Sequence, residues 1–274
     1  MPKSAGTSLS MALILQYGIK NSYQVSVDVA DPNFTNIKFP VINADTSRKV
    51  LMGHFSYGVA NSLHIRSPRY FTMLRDPAKR LYSHYNFVRR TRKHPLYKHV
   101  INNQLNFEQY IQSNISPELS NAMVRQLSGH FSAWEINPNF DLLYLLAKNN
   151  LDKMAAFGIS EEYEKSLFLF ADRLGWKRKI ALIYANKTHM NDCGNLIEID
   201  IQAITYETNK YDYMLYDYAK ALFYANLSSL NKHTTTHPSQ MYVNIIKKIH
   251  QLFNFIIAVQ TSFSLYLSKY FRSH

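Results

Sequence analysis

The sequence predicts an α/β protein of three layers, with helices on both faces of a central, mostly parallel sheet. Three observations predict it. Short apolar runs of strand character recur along the chain, among them "RYFTML", "AAFGIS" and "KIALIYA". Segments with helical apolar spacing stand between them, and this alternation builds a parallel sheet covered by helices. Two chemistry-bearing motifs, "GHF" and "RDP", follow strands directly, at the carboxyl ends where such sheets take their ligands.

Taken in order, Thr7 or Ser8 can cap a first helix through "SLSMALILQYGI", with Gly18 as its stop. "YQVSVDV" alternates as a strand does, "DPNFTN" is a loop, and "RKVLMGHF" is a short buried strand ending near Gly53. "RYFTML" runs into "RDP", where Asp76 caps a helix that has Pro77 at its first position and continues through "AKRLYSHYNFVRR". Helical patterns follow around 106–113 and 118–128, and "AAFGIS" is another strand. In "EEYEKSLFLFADRLGW", Tyr163, Leu167, Phe170 and Leu174 share one helical face, which Gly175 ends. "KIALIYA" is a strand, and Tyr211, Leu215, Tyr218 and Leu222 mark a helix near 208–227.

Residues 1–228 therefore form one domain, and 229–274 a linker with a helical extension. "HTTTHPSQ" is the linker; Met241, Ile245, Ile249, Leu252 and Ile256 then repeat at helical spacing. Residues 251–268 carry no charge, but Asn254, Gln260, Thr261, Ser262 and Ser264 interrupt them. A surface or partner-packing helix is expected there rather than a membrane span.

With 274 residues and 46% of them apolar, the chain can bury a sizeable core. A formal charge of +12 points to a polyanionic partner or an anionic cofactor. The single cysteine, Cys193, excludes an internal disulfide framework and a cysteine-rich zinc site. No secretory signal or N-terminal anchor is read at the start, so the sequons at Asn33, Asn186 and Asn226 carry little weight.

Three short stretches carry candidate chemistry. In "MPKSAGTSL", small residues Ser4, Ala5 and Gly6 let an anion approach the backbone at a helix N-terminus, Lys3 adds a charge, and Thr7 and Ser8 add hydroxyls. The lysine precedes the glycine and a second glycine is missing, so this is not a Walker A loop; a capped helix beside a stray lysine is the plainer alternative. In "RYFTMLRDPAKRLYSHY", Arg75 ends a strand and Ser83 lies two turns into the next helix; arginine grips phosphate with two prongs and serine adds a neutral donor. Taken alone, these residues favour the plainer reading, a strand–turn–helix unit with solvated charges. "GHFSYG" puts His54 just past a strand end, where histidine can act as a general base, although it is one of 11 histidines.

In this order the three stretches resemble the PAPS-dependent carbohydrate-type sulfotransferases, in particular the family-2 group of heparan sulfate 2-O-sulfotransferase and its bacterial members. (PAPS is 3'-phosphoadenosine 5'-phosphosulfate.) "PKSAGTS" resembles the family's 5'-phosphosulfate loop, "LRDPAKRLYSHY" its 3'-phosphate motif and "GHFSYG" the segment of its catalytic histidine. Downstream, "SNAMVRQLSG", "FGISEEYEKSLFLFADRLGW" and "YDYMLYDYAKALF" are similar to further family segments, so the likeness covers roughly residues 1–225.

The resemblance implies a P-loop-NTPase-like fold and sulfuryl transfer from PAPS to an acceptor hydroxyl, without a metal. It assigns Lys3, Ser4, Ala5, Gly6, Thr7 and Ser8 to the 5'-phosphosulfate, Arg75 and Ser83 to the 3'-phosphate, and His54 to the base. Lys3 would also steady the leaving oxygen, and Arg125 would approach donor or acceptor. Family members carry an apolar strand before the loop; this chain starts inside it, so the first strand is expected to be missing and the domain N-terminally truncated. The basic run "RRTRKH" suits a sulfated or carboxylated glycan acceptor, and reads equally as an ordinary solvated helix end; nucleic acid is not expected, since no nucleic-acid-binding module accompanies it. A non-catalytic relic that binds a glycan, and a nucleotide phosphotransferase with a degenerate loop, are the competing expectations. The expected setting is the bacterial cytoplasm, or the Golgi membrane for a truncated eukaryotic chain.

Overall fold

The computed structural model describes residues 1–24, 26–27, 37–38, 50–177, 180–184, 198–228, 235–236 and 248. They belong to two units. The larger is drawn from Met1–Gly6, Phe55–Trp176 and Lys187–His233, and the smaller from Thr7–His54, Lys177–Asn186 and Thr234–His274. The class is α/β, with helices predominating and short strands in mostly parallel pairs. Where the sequence predicts one central sheet, the described strands pair two by two.

Most of α1 (Gly6–Tyr17) falls in the smaller unit; it buries Leu9 and the run from Met11 to Ile14, so it has no solvated stripe. It opens on Gly6, two residues before the predicted start at Ser8, which places Thr7 and Ser8 inside its first turn rather than at its cap. The left-handed Ala5 (φ 58°) delivers the chain to that start. β1 (Ser22–Gln24) pairs in parallel with β4 (Val50–Met52), and β2 (Ser26–Val27) pairs antiparallel with β3 (Ile37–Lys38). The strand expected over "YQVSVDV" is thus two strands with different partners. β7 (Ile180–Ala181) runs parallel to β8 (Thr235–Thr236), which makes part of the expected linker a strand. Met11 packs on Ile183 in this unit's core. The predicted loop "DPNFTN", the C-terminal helix, Cys193 and the sequons at Asn33 and Asn186 lie outside the described residues.

In the larger unit, α2 (Val59–Ser62) leads to β5 (Phe71–Leu74), which pairs in parallel with β6 (Ala156–Ile159), Leu74 opposite Ile159. Asp76 accepts the Lys79 N–H at 3.0 Å and Pro77 takes the first turn of α3 (Pro77–Arg90), as the sequence predicts. α4 (Tyr97–Asn102) and α5 (Phe107–Gln112) follow; Asn106 and Gln109 form a capping box on α5. Then come α6 (Ala122–Ser128), α7 (Phe140–Asp152), α8 (Tyr163–Leu174) and the long α9 (Glu198–Leu227), interrupted at Asn209. One core gathers Leu74, Val124, Leu151, Ile159, Leu215 and Phe223; another joins Leu81, Tyr110, Ile111, Ile201 and Tyr213 from α3, α5 and α9. Burying each such side chain stabilises by about 1.5–3 kcal/mol.

Two helix starts in this unit cap each other. Asp212 accepts the amides of Met123 (3.1 Å) and Val124 (2.8 Å) at the head of α6. In return Asn121 Oδ1 accepts those of Tyr211 (3.0 Å) and Asp212 (3.1 Å), just past the break in α9. Asn209 completes the exchange by accepting the Asn121 N–H at 2.9 Å and donating to Leu119 O at 2.8 Å. The orphan donors of both helices are satisfied in the interior, where leaving them unpaired is costly. Among the described residues no helix is long and apolar enough to cross a membrane.

Candidate functional site

The opening loop is built from unusual backbone. Lys3 (φ 63°) and Ala5 (φ 58°) are left-handed and Ser4 between them is not, so the chain alternates its hand over three residues. For non-glycine residues this costs about 1–2 kcal/mol each. Such alternation turns successive N–H groups inward and makes a concavity for anions. The Ser4 hydroxyl is wholly buried and has no hydrogen-bond partner among the described residues. Gly6 has no positive φ, and a Cβ there would meet only Met1 O, at 4.0 Å. The fold itself does not demand glycine at this position; what glycine leaves is open room at a helix N-terminus.

Arg75 closes this loop from the side. Parallel pairing of Leu74 with Ile159 brings the two chain segments after β5 and β6 out side by side, Arg75 and Asp76 from one, Glu161 from the other. Arg75 Nη1 donates to Lys3 O at 2.9 Å, and its Nε stands 3.9 Å from Glu161 Oε1. Glu161 Oε1 also accepts the Asp76 N–H at 3.3 Å, and its Oε2 accepts the Tyr216 hydroxyl at 3.0 Å. Burial pushes the Arg75 guanidinium down, and Glu161 and Asp76 push it back up.

Helix α3 supplies the floor. The Lys3 ammonium sits 4.2 Å above the Phe87 ring. Burial, with the charges of Arg75 and Arg90 close by, brings Lys3 down to about 8 from an ordinary 10.5. Ser83 is buried on α3 one turn before Phe87, on the same helical side. Deeper on the helix, Arg80 lies 3.9 Å from Asp212 and donates to Glu118 O at 3.2 Å, while His84 bridges Tyr110 (2.9 Å) and Glu118 (3.1 Å). In the last turn of the helix and just past it, Arg89, Arg90, Arg92 and Lys93 are exposed.

The structure thus brings together Lys3, Ser4, Ala5, Gly6 and Arg75, with Ser83 on the helix beneath. His54, Thr7 and Ser8 fall in the smaller unit: His54 is exposed in the bend after β4, Thr7 is exposed and Ser8 buried in α1. The chain after His54 is gripped within the larger unit. Gln126 donates from its side chain to Phe55 O (2.7 Å) and accepts the Tyr57 N–H on its own carbonyl (2.9 Å). Trp134 Nε1 reaches Ser56 Oγ at 3.4 Å. Gly129, with φ 64°, passes so close that a Cβ would come within 2.5 Å of Tyr57 O.

Arg125, which the resemblance brings toward donor or acceptor, is bonded within the larger unit. It is 1% exposed, its Nε donates to Ser120 O (2.7 Å) and its Nη1 to Ala133 O (2.6 Å) and Glu135 O (2.8 Å), and it lies over the Phe140 ring. Those carbonyls occupy it as a tie between α6 and the segment that follows.

Sequence reasoning missed Glu161, Tyr216 and Phe87. Glu161 had a signal, since an acid directly after a buried strand faces whatever ends the neighbouring strand. Phe87 had none, because an aromatic on a helix reads as core. Among the described residues no three His, Cys, Asp or Glu side chains gather as metal ligands. The chain matches no protein-family model and no curated protein sequence.

Proposed function

We propose that the chain is a PAPS-dependent sulfotransferase that transfers the sulfuryl group to an acceptor hydroxyl, of a carbohydrate, on a P-loop-NTPase-like fold. The observation that carries this reading is the bond from Arg75 to the Lys3 carbonyl, which joins the two motifs the resemblance assigns to the donor's two ends. Burial, and then the nearby charges of Arg75 and Arg90, lower Lys3 to about 8, with Glu161 as the carboxylate beside Arg75. A bound anion would relieve that repulsion and satisfy the buried Ser4 hydroxyl.

In this reading the opening loop with Thr7 and Ser8 holds the 5'-phosphosulfate, and Arg75 with Ser83 holds the 3'-phosphate. The resemblance gives His54 the proton of the acceptor hydroxyl, released as the acceptor oxygen attacks sulfur. Lys3 neutralises the charge that collects on the phosphate oxygen as its bond to sulfur breaks. Positioning and electrostatics supply most of the rate in such transfers. The exposed basic run at the end of α3 and just past it supports an acidic glycan as acceptor.

Calorimetric titration with 3'-phosphoadenosine 5'-phosphate, the desulfated donor, tests the reading. Binding without magnesium that falls in both Lys3→Ala and Arg75→Ala is expected. A folded chain that does not bind it, or that binds ATP only with magnesium, overturns the proposal.

A further inference from the structure

We propose that Glu161 is a positioning residue that holds the Arg75 guanidinium in the plane needed to grip the nucleotide's 3'-phosphate; this rests on the sulfotransferase reading above. Both carboxylate oxygens are fixed. Oε1 is held by the Asp76 amide at 3.3 Å and faces Arg75 Nε at 3.9 Å. Oε2 is held at 3.0 Å by the Tyr216 hydroxyl, on a side chain buried in the core. Glu161 therefore takes its geometry from three elements at once: the end of β6, the turn after β5, and α9.

An arginine head is planar, so two contacts on different nitrogens set its orientation. Here Nη1 donates to the Lys3 carbonyl at 2.9 Å, and Glu161 faces Nε as an ion pair at 3.9 Å, too long for a hydrogen bond. Neither contact uses Nη2, and a phosphate takes arginine best in a two-pronged, in-plane approach. Without the carboxylate, Arg75 keeps its charge and its bond to the loop but swings about that single bond. The loss falls on ligands that carry a phosphate for Arg75 and leaves the rest of the nucleotide's contacts alone.

The test measures the affinity of 3'-phosphoadenosine 5'-phosphate against that of adenosine 5'-phosphate in wild type, Glu161→Gln and Glu161→Ala. Glutamine keeps an acceptor for the Asp76 amide and the same shape, so it guards against simple unfolding. The expected result is a wild-type preference for the doubly phosphorylated nucleotide that falls about threefold in Glu161→Gln and about tenfold in Glu161→Ala, as loss of a charge-assisted contact would give. Affinity for adenosine 5'-phosphate is expected to hold in both. An unchanged preference in both variants overturns the inference and leaves the reading standing. Equal weakening for both nucleotides makes Glu161 a merely structural residue and overturns it too. A wild type without any preference removes the reading itself, and the inference with it.

Discussion

The larger unit holds charges in two places and treats them in opposite ways. Around Asp212 most of the charge is taken up by the fold: both oxygens receive α6 amides, Arg80 stands 3.9 Å away and bonds Glu118 O although its Nε has no hydrogen-bond partner among the described residues, and Arg125 gives its Nε and Nη1 to three carbonyls. Around Lys3 the charges outnumber their partners: the ammonium rests on a ring, Arg75 is shared between a carbonyl and Glu161, and the Ser4 hydroxyl is buried unpaired. Burial alone does not distinguish a site, since Arg80 and Arg125 are more deeply buried than Arg75. What sets the Lys3 region apart in the proposed sulfotransferase reading is that burial and the charges of Arg75 and Arg90 bear on one ammonium together.

The sharpest way to break that contrast is Asp212→Ala. It removes two caps and strands Arg80 without its carboxylate, so a stability loss of about 3–5 kcal/mol is expected in denaturant unfolding. A loss under about 1 kcal/mol would mean that the buried charges are not what holds α6 to α9. Next is Gly129→Ala, which sets a Cβ against Tyr57 O on a left-handed backbone. About 2–3 kcal/mol of destabilisation is expected by thermal or denaturant unfolding.

On the other side of the contrast, Arg75→Ala and Lys3→Ala are expected to change stability by less than about 1 kcal/mol while weakening 3'-phosphoadenosine 5'-phosphate at least tenfold. A large stability loss with unchanged binding would reverse the roles assigned to the two regions. The smallest effect is in pH. Lys3 is lowered by burial, so the folded chain binds fewer protons than the unfolded one between about 8 and 10.5. The cost of burying its charge is present in full below 8 and is relieved as pH rises toward 10.5, so the stability gap between Lys3→Met and wild type should narrow across that window. Anion binding should show the other sign: it needs the ammonium, so affinity falls as pH rises through 8, and titrations at pH 8 take up protons from the buffer. A pH-independent gap and no proton uptake would place Lys3 in solvent.

Local signals were the most legible part of the sequence. Asp76 with Pro77, the strand pair "RYFTML" and "AAFGIS", and the end of α8 at Gly175 appear where the residues predict them, because each is decided within a few positions. α7 was missed: Leu142 to Ala147 form an unbroken apolar run, so periodicity could not separate helix from strand, although Asn139 caps it at Leu142 N. The break of α9 at Asn209 was also missed, because its cause, the exchange with Asn121, lies 88 residues away. At the site, Lys3 and Arg75 were legible as residue types, but the bond between them spans 72 positions and depends on how β5 leads into the turn. Arg125 was assigned by likeness to a motif, and the carbonyls that occupy it come from Ser120, Ala133 and Glu135, which no spacing rule connects to it.

The exchange of caps between Asn121 and Asp212 also bears on the order in which the chain acquires structure. A first helical turn is the unfavourable step in making a helix, and here each of two helices borrows from the other the groups that complete that turn. Neither α6 nor the second half of α9 then has a finished nucleus until residues 88 to 91 positions apart have met. Closing so long a loop is slow compared with local helix growth. The two helices should consequently gain and lose hydrogen-exchange protection as a pair, late in refolding and together on unfolding.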